Sequence, residues 1–169
     1  MKLNHAILKS PIGELGIIFD DEDILYALSF ENRFTPKERA KLEKNLGSIE
    51  FVNVPLSKGL LACFNGYFAG KTDAFDKVET RPFGTQFQIA AWRALQTIPY
   101  GKTASYGDQA KKIGNPKAVR AVGGANNKNP IAIVIPCHRV IGANGKMVGF
   151  GGGIATKEWL LAHEAKHAL

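Results

Sequence analysis

Cysteine is scarce in this 169-residue chain, which has only Cys63 and Cys137. That excludes a disulfide scaffold and a four-cysteine zinc site, and it makes a reducing, cytoplasmic setting the expectation. No run approaches the ~20 apolar residues of a membrane span, so no membrane partner is expected. The N-terminal MKLNHAILKSPIGELG carries Pro11 and Gly13 where a signal peptide would hold its apolar core. Internal repeats and low-complexity tracts are also missing. Acidic residues are scarce in one half only. Residues 81–169 hold 12 Lys+Arg against 3 Asp+Glu, net +9, whereas residues 1–80 hold 10 against 12, net −2. That division suits a second half that meets a polyanion, although a solubility charge gives the same count. Apolar residues, at 45%, suffice for a real core, and 22% charged residues are too few for wholesale disorder.

Residues 12–19 and 24–30 bracket the polar turn Asp20-Asp21-Glu22-Asp23 and predict a hairpin. Thr35, Pro36 and Glu38 spell a capping box with proline at the first helical position, and Gly47 is a stop signal. A short strand is expected over 49–54. Leu56, Leu60, Phe64 and Phe68 then recur every four residues, predicting one apolar helix face that ends at Gly70, with Cys63 beside it as a small buried hydrophobe. A boundary near residue 80 separates two subdomains, 1–80 and 81–169. Beyond it Thr85 and Gln88 form a second capping box for a helix bearing Phe87, Ala91, Trp92 and Leu95, ended by residues 98–101. Ser105 and Asp108 open a short helix through Lys112. Asn115-Pro116 is read as cap and first turn of a helix over 117–125, giving a helix-turn-helix. Ala118, Ala121, Gly123, Gly124 and Ala125 leave that second helix with little side chain. Each glycine costs a helix about 1 kcal/mol relative to alanine. Either a nucleic-acid groove or tight internal packing would account for the pattern.

The β-branched residues 131–135 predict a buried strand leading into Pro136-Cys137-His138-Arg139. A thiol at a strand end beside His and Arg is a candidate nucleophile, because a cationic or hydrogen-bonding neighbour favours the thiolate. Adjacent strand residues face opposite ways, so Cys137 and His138 need a turn or a bridging water to communicate. An inert Cys-His pair, or zinc held with His163 and His167, are the competing readings. The zinc reading lacks paired-ligand spacing.

Pro136-Cys137-His138-Arg139-Val140, preceded by Arg120-Ala121-Val122-Gly123-Gly124-Ala125 and Asn129-Pro130, resembles the O6-alkylguanine-DNA alkyltransferase (methylated-DNA–protein-cysteine methyltransferase) family. The tail Lys157-Glu158-Trp159-Leu160-Leu161-Ala162-His163-Glu164 is similar to that family's C-terminal helix, and the likeness runs over about residues 83–165. The resemblance implies an α/β chain: a ribonuclease-H-like mixed α/β subdomain, then a mostly helical winged helix-turn-helix subdomain. It implies DNA repair by single-turnover transfer of the alkyl group of O6-alkylguanine to Cys137, with O4-alkylthymine as a second candidate substrate. His138 would act through a water as base, oriented by Glu164. Tyr106 would help rotate the nucleotide out and give the leaving base a proton, and Arg120 would fill the gap. Asn129 would brace the turn between helix-turn-helix and cysteine. Ala118, Ala121 and Gly123 would lie with Arg120 and Tyr106 along the minor groove, where sequence readout is degenerate. Val140, Met147, Phe150, Gly151 and Ala132 would line the pocket for the flipped base. The implied partner is double-stranded DNA containing alkylated guanine, met by a monomer with no cofactor; the N-terminal zinc ligands of some relatives have no visible counterpart here, so no metal is expected.

Two departures stand out. Ala132 occupies a position where some members carry proline, which suggests a weaker grip on bulky arylmethyl groups. Residues 150–153 are richer in glycine than in many relatives, which suggests a more mobile loop. Three rivals remain: a non-catalytic damage-binding relative, a helix-turn-helix transcription regulator and a cysteine hydrolase. The cysteine at 137 argues against the first, whose members replace it.

Overall fold

Three strands in succession build an antiparallel meander: β1 (Lys2–Ser10), β2 (Gly13–Phe19) and β3 (Leu25–Phe30). At the first turn the Ser10 hydroxyl donates to Gly13 O and accepts from Ile12 N, with Gly13 at φ +101°. At the second, the Asp20 carboxylate accepts from the amides of Glu22 and Ile24, the Asx geometry expected of that acidic run. The computed structural model describes residues 1–31 and 34–168, in two compact units, Met1–Phe83 and Gly84–Leu169.

In the first unit α1 (Pro36–Leu46) carries the chain across one face of the sheet, and β4 (Glu50–Asn53) returns parallel to β1. The strand order β3-β2-β1-β4 is the ribonuclease-H-like arrangement. Thr35 and Glu38 close their capping box and Gly47 ends the helix. Leu42 of α1 is buried in a cluster with Leu3, Ile18, Ile24, Tyr26, Ala27 and Ile49. α2 (Lys58–Phe68) is capped by Ser57 and buries Leu60, Phe64 and Tyr67; Phe75, from the segment after α2, stacks on Tyr67 at 4.9 Å and meets Phe64 edge-on at 5.0 Å. Two expectations are corrected here. The first strand is Lys2–Ser10, which the sequence pattern did not announce, because its buried residues include Asn4 and the small Ala6. Cys63 is half-buried rather than part of the core.

The second unit is α3 (Gln86–Leu95), β5 (Ala104–Ser105), α4 (Tyr106–Lys112), α5 (Val119–Asn127), β6 (Val140–Ile141) and α6 (Ile154–His167). The expected Thr85/Gln88 capping box forms on α3, and Ser105, expected to open α4, closes a capping box with Asp108. Trp92 Nε1 donates to Ala125 O at 2.8 Å, joining α3 to α5. Gln109 and Asn126 exchange two amide hydrogen bonds of 2.8 Å, fastening α4 to α5. α5 begins later than expected: Asn115 O accepts from Ala118 N, so Asn115-Pro116 makes a separate turn, and Ala118 caps without a side-chain bond. α3 stops at Leu95, and residues 98–101 form the turn after it. Gly101 there lies at φ +76°, against Ala168 beyond the end of α6, leaving no room for a side chain. Among the described residues no helix is long and apolar enough to cross a membrane.

Candidate active site

The β-branched residues 131–135 are buried as expected but are not a strand. Their backbone closes on itself: Ile135 N donates to Ile131 O, Val134 N to Ala132 O and Cys137 N to Ile135 O. Ile133 takes φ +70°, a left-handed conformation that a β-branched residue adopts only when its surroundings impose it. Asn129 supplies much of that constraint. Its Nδ2 donates to Ile135 O at 2.8 Å and its Oδ1 accepts from Ile131 N at 3.0 Å, so one amide holds both ends of the coil.

The coil delivers Cys137 into a single 3-10 turn, Cys137–Arg139. Cys137 and His138 therefore share a turn, in which adjacent side chains are not forced to opposite faces as they are in a strand. His138 is fully buried, and its Nε2 lies 2.7 Å from Glu164 Oε2 on α6. Arg139 grips the same carboxylate, Nε to Oε1 at 2.7 Å and Nη2 to Oε2 at 3.2 Å, while its Nη1 donates to Ile98 O at 2.8 Å. Burial opposes ionisation of Glu164, but the hydrogen bonds from His138 and Arg139 and the Arg139 charge outweigh it and hold the carboxyl far below the usual carboxylate range. An ionised carboxylate only accepts, so Nε2 of His138 carries the proton and Nδ1 keeps its lone pair in the neutral ring. Burial also pushes His138 toward that neutral form. Nδ1 is buried and has no protein hydrogen-bond partner. Burial pushes the Cys137 thiol up, against the pull of the Asn129 amide and the Lys157 charge.

Tyr106 opens α4 directly after β5, and β5 pairs in parallel with β6, Ala104 beside Val140 and Ser105 beside Ile141. This short ladder sets Tyr106 next to the cysteine turn. Burial, then the Cys137 thiol, raises its hydroxyl pKa, so it stays a proton donor. Val140 is buried in β6, and Ala132 is buried inside the coil. Met147 and Phe150 are half-buried and Gly151 exposed in a loop that closes with Gly153 N donating to Phe150 O. Arg120, Ala121 and Gly124 are exposed on α5, Ala118 and Gly123 are half-buried, and Val122 and Ala125 are buried. The small residues thus divide: Ala125 serves internal packing, while Ala121 and Gly124 leave the outer face bare around Arg120. No hydrogen bond ties Arg120 to Cys137.

Two further residues belong to this site. Lys157 is 1% exposed, and its ammonium donates to Val140 O at 2.6 Å and to Val148 O at 3.2 Å, tying the loop to β6. Arg139 was visible only as part of the motif. The signal for Lys157 was its place on the buried face of α6, at helical spacing from Leu160 and Glu164.

Known proteins share this sequence and fold over nearly the whole chain. The model of the 6-O-methylguanine DNA methyltransferase DNA-binding domain matches residues 86–166. A methylated-DNA–protein-cysteine methyltransferase of Methanosarcina acetivorans is 47% identical over 160 residues, 95% of this chain and 97% of that protein. One from Salmonella typhimurium is 40% identical over 165 residues, 97% of this chain and 96% of that protein. The solved structure of Mycobacterium tuberculosis OGT in complex with DNA superposes with a TM-score of 0.83 at 41% identity, covering 98% of this chain and 94% of that one. With such identities sustained over nearly the whole length, and the cysteine turn inside the matched segment, the chain belongs to the methylated-DNA–protein-cysteine methyltransferase family.

Proposed function

We propose that this protein repairs DNA by moving the alkyl group of O6-alkylguanine directly onto Cys137. The observation that carries this reading is the buried unit of Cys137, His138 and Glu164, in which the one unpartnered ring nitrogen is the basic one. His138 Nδ1 takes the thiol proton through a bridging water. The sulfur attacks the alkyl carbon, the carbon–O6 bond breaks, and its electron pair leaves with guanine, which Tyr106 protonates. Glu164 holds the imidazole and stabilises the imidazolium that forms.

The target atom is inaccessible within the stack, so the nucleotide must leave the duplex. Arg120, on the bare face of α5, fills the gap, with Ala118, Ala121 and Gly123 allowing close approach to the groove. Val140, Met147, Phe150, Gly151 and Ala132 surround the flipped base, and Asn129 keeps the cysteine coil in register. The thioether product is a poor leaving group, so each molecule reacts once. The thiol must be reduced to act, which fits a cytoplasmic setting. Phosphate contacts make binding fall steeply with salt.

Mass spectrometry of the intact protein after incubation with an O6-methylguanine duplex tests this. The expected result is a gain of one CH2 confined to Cys137, at most one per molecule. Continued turnover in excess methylated DNA, or no gain at Cys137, overturns it.

A further inference from the structure

Arg139 is not a member of the proton relay, yet its donors converge on the relay's last member. The guanidinium makes a two-point contact with the Glu164 carboxylate and is itself fixed by Ile98 O, with its side chain 12% exposed. Its Cζ also lies over the Tyr100 ring, 5.7 Å from the centroid. Such a fork aims a carboxylate as well as neutralising it, which a lysine ammonium cannot do.

The charge count shows why this matters. Arg139 and, when protonated, His138 can each bring a positive charge to buried Glu164. Only one is needed for neutrality. With Arg139 in place, His138 can rest uncharged, donating from Nε2 and keeping Nδ1 free. Without it, the buried carboxylate would recruit a proton onto the ring, and an imidazolium has N–H at both positions. It could no longer accept the thiol proton.

We propose that Arg139 is a positioning residue for alkyl transfer: its fork aims the Glu164 carboxylate and supplies its counter-charge, so that His138 presents an unprotonated Nδ1 to Cys137. This rests on the alkyl-transfer reading and adds a residue to it. The charged groups that face the imidazole are Glu164 and Lys157 from α6 and Arg139 from its own turn, which also carries the Cys137 thiol. Tyr100, from the turn after α3, faces Glu164 and Arg139, and Tyr106 of α4 faces Cys137. Burial is the first influence keeping His138 neutral; Glu164 opposes it, and Arg139 and then Lys157 reinforce it.

The test is the single-turnover rate of Cys137 methylation by an O6-methylguanine duplex, measured on the full chain across about pH 5 to 8, the range in which histidine charge changes. Wild type, Arg139→Met and Arg139→Lys are compared, with melting temperatures as a control for folding. In Arg139→Met the acid limb of the profile moves to higher pH by roughly one unit or more, and part of the lost rate returns as pH rises. In Arg139→Lys the charge stays but the aim is lost, so the limb keeps its position and the plateau falls about tenfold. A loss of the same factor at every pH in Arg139→Met, or no change in it, overturns the proposal. If Arg139→Met does not fold, Arg139→Lys decides: a lower plateau with an unmoved limb supports the proposal, and a moved limb or an unchanged rate refutes it. Wild type that gains no methyl group would refute the alkyl-transfer reading instead, a result distinct from any of these.

Discussion

The two units bury different kinds of residue. Among the described residues, Met1–Phe83 buries only Asn4 and Thr80 as polar side chains, whereas Gly84–Leu169 buries Gln109, Asn126, His138, Lys157, His163 and Glu164. The first unit is stabilised by alternating apolar strands, a capped helix and an aromatic cluster. The second withdraws an ammonium, an imidazole and a carboxylate from water, and each charge so removed costs several kcal/mol unless its bonds are short and complete. Here the bonds are short: Lys157 to Val140 O at 2.6 Å, His138 to Glu164 at 2.7 Å and Arg139 to Glu164 at 2.7 Å, with only Nδ1 of the neutral imidazole left unpaired within this cluster. Chemistry therefore dictates the core of the second unit, while packing dictates that of the first. Substitutions should separate the two: losses of stability alone in the first, and losses of reaction out of proportion to stability in the second.

The largest separation is expected at Cys137. Cys137→Ala removes the acceptor sulfur, so methyl transfer, read by intact mass, should vanish completely. The side chain is small, so the melting temperature should move by only a few degrees. Residual methylation at any other residue would break the proposed division at its centre.

Next come two substitutions matched in size. Phe64→Ala empties part of the α2 core, and Glu164→Ala strands Arg139 and His138. Each should cost about 3–5 kcal/mol by denaturant unfolding. The molecules that remain folded should differ: Phe64→Ala retains the wild-type methylation rate, whereas Glu164→Ala loses most of it. Acid sharpens the contrast. The folded pKa of Glu164 is depressed, so the stability it contributes is complete above its unfolded value of about 4.3 and fades as pH falls below it. That acid-sensitive component should be missing from the unfolding profile of Glu164→Ala and present in that of Phe64→Ala.

A smaller effect is expected at Arg120, exposed on α5. Arg120→Ala should leave stability and the reaction with free O6-benzylguanine base near wild type, yet slow repair of duplex about tenfold, since one side chain filling the duplex gap contributes on the order of 1–2 kcal/mol. Equal slowing on both substrates would assign Arg120 to folding instead.

How much of this was legible in the sequence also differs between the units, and for physical reasons. Capping boxes are local, so Thr35/Glu38, Thr85/Gln88 and Ser105/Asp108 could be read directly and all form. The pairing of Glu164 with His138 came from a resemblance, not from spacing, because 26 residues separate them. β1 was missed because Asn4 and Ala6, buried in a central strand, weaken the apolar alternation. Residues 131–135 were misread because β-branched residues are favoured in strands, whereas here the amide of Asn129 outbids a strand partner for their backbone. The same clamp explains how Ile133 tolerates a positive φ. Lys157 was passed over, and Arg139 was read only as a cationic neighbour of the thiol, since charge is expected at the surface and only folding shows which charges are buried.

The smallest effect allows the closest comparison, because the same device occurs in both units. Thr35 accepts from Glu38 N at 3.2 Å, and Ser105 accepts from Asp108 N at 3.0 Å, each with the reciprocal carboxylate bond. Thr35→Ala and Ser105→Ala should therefore each cost about 1 kcal/mol of helix stability. Thr35 starts a helix whose duty is to cover a sheet. Ser105 starts one whose first residue is Tyr106, and Ser105 itself pairs with Ile141 beside the cysteine turn. Fraying that turn lets the phenol wander from the base that we propose it protonates, and proton transfer depends on separations of a few tenths of an ångström. Ser105→Ala should therefore slow duplex methylation several-fold while Thr35→Ala leaves it unchanged, at matched losses of melting temperature. Equal rates in the two variants would mean that the β5–β6 ladder alone holds Tyr106, and that the cap contributes to stability in the second unit just as it does in the first.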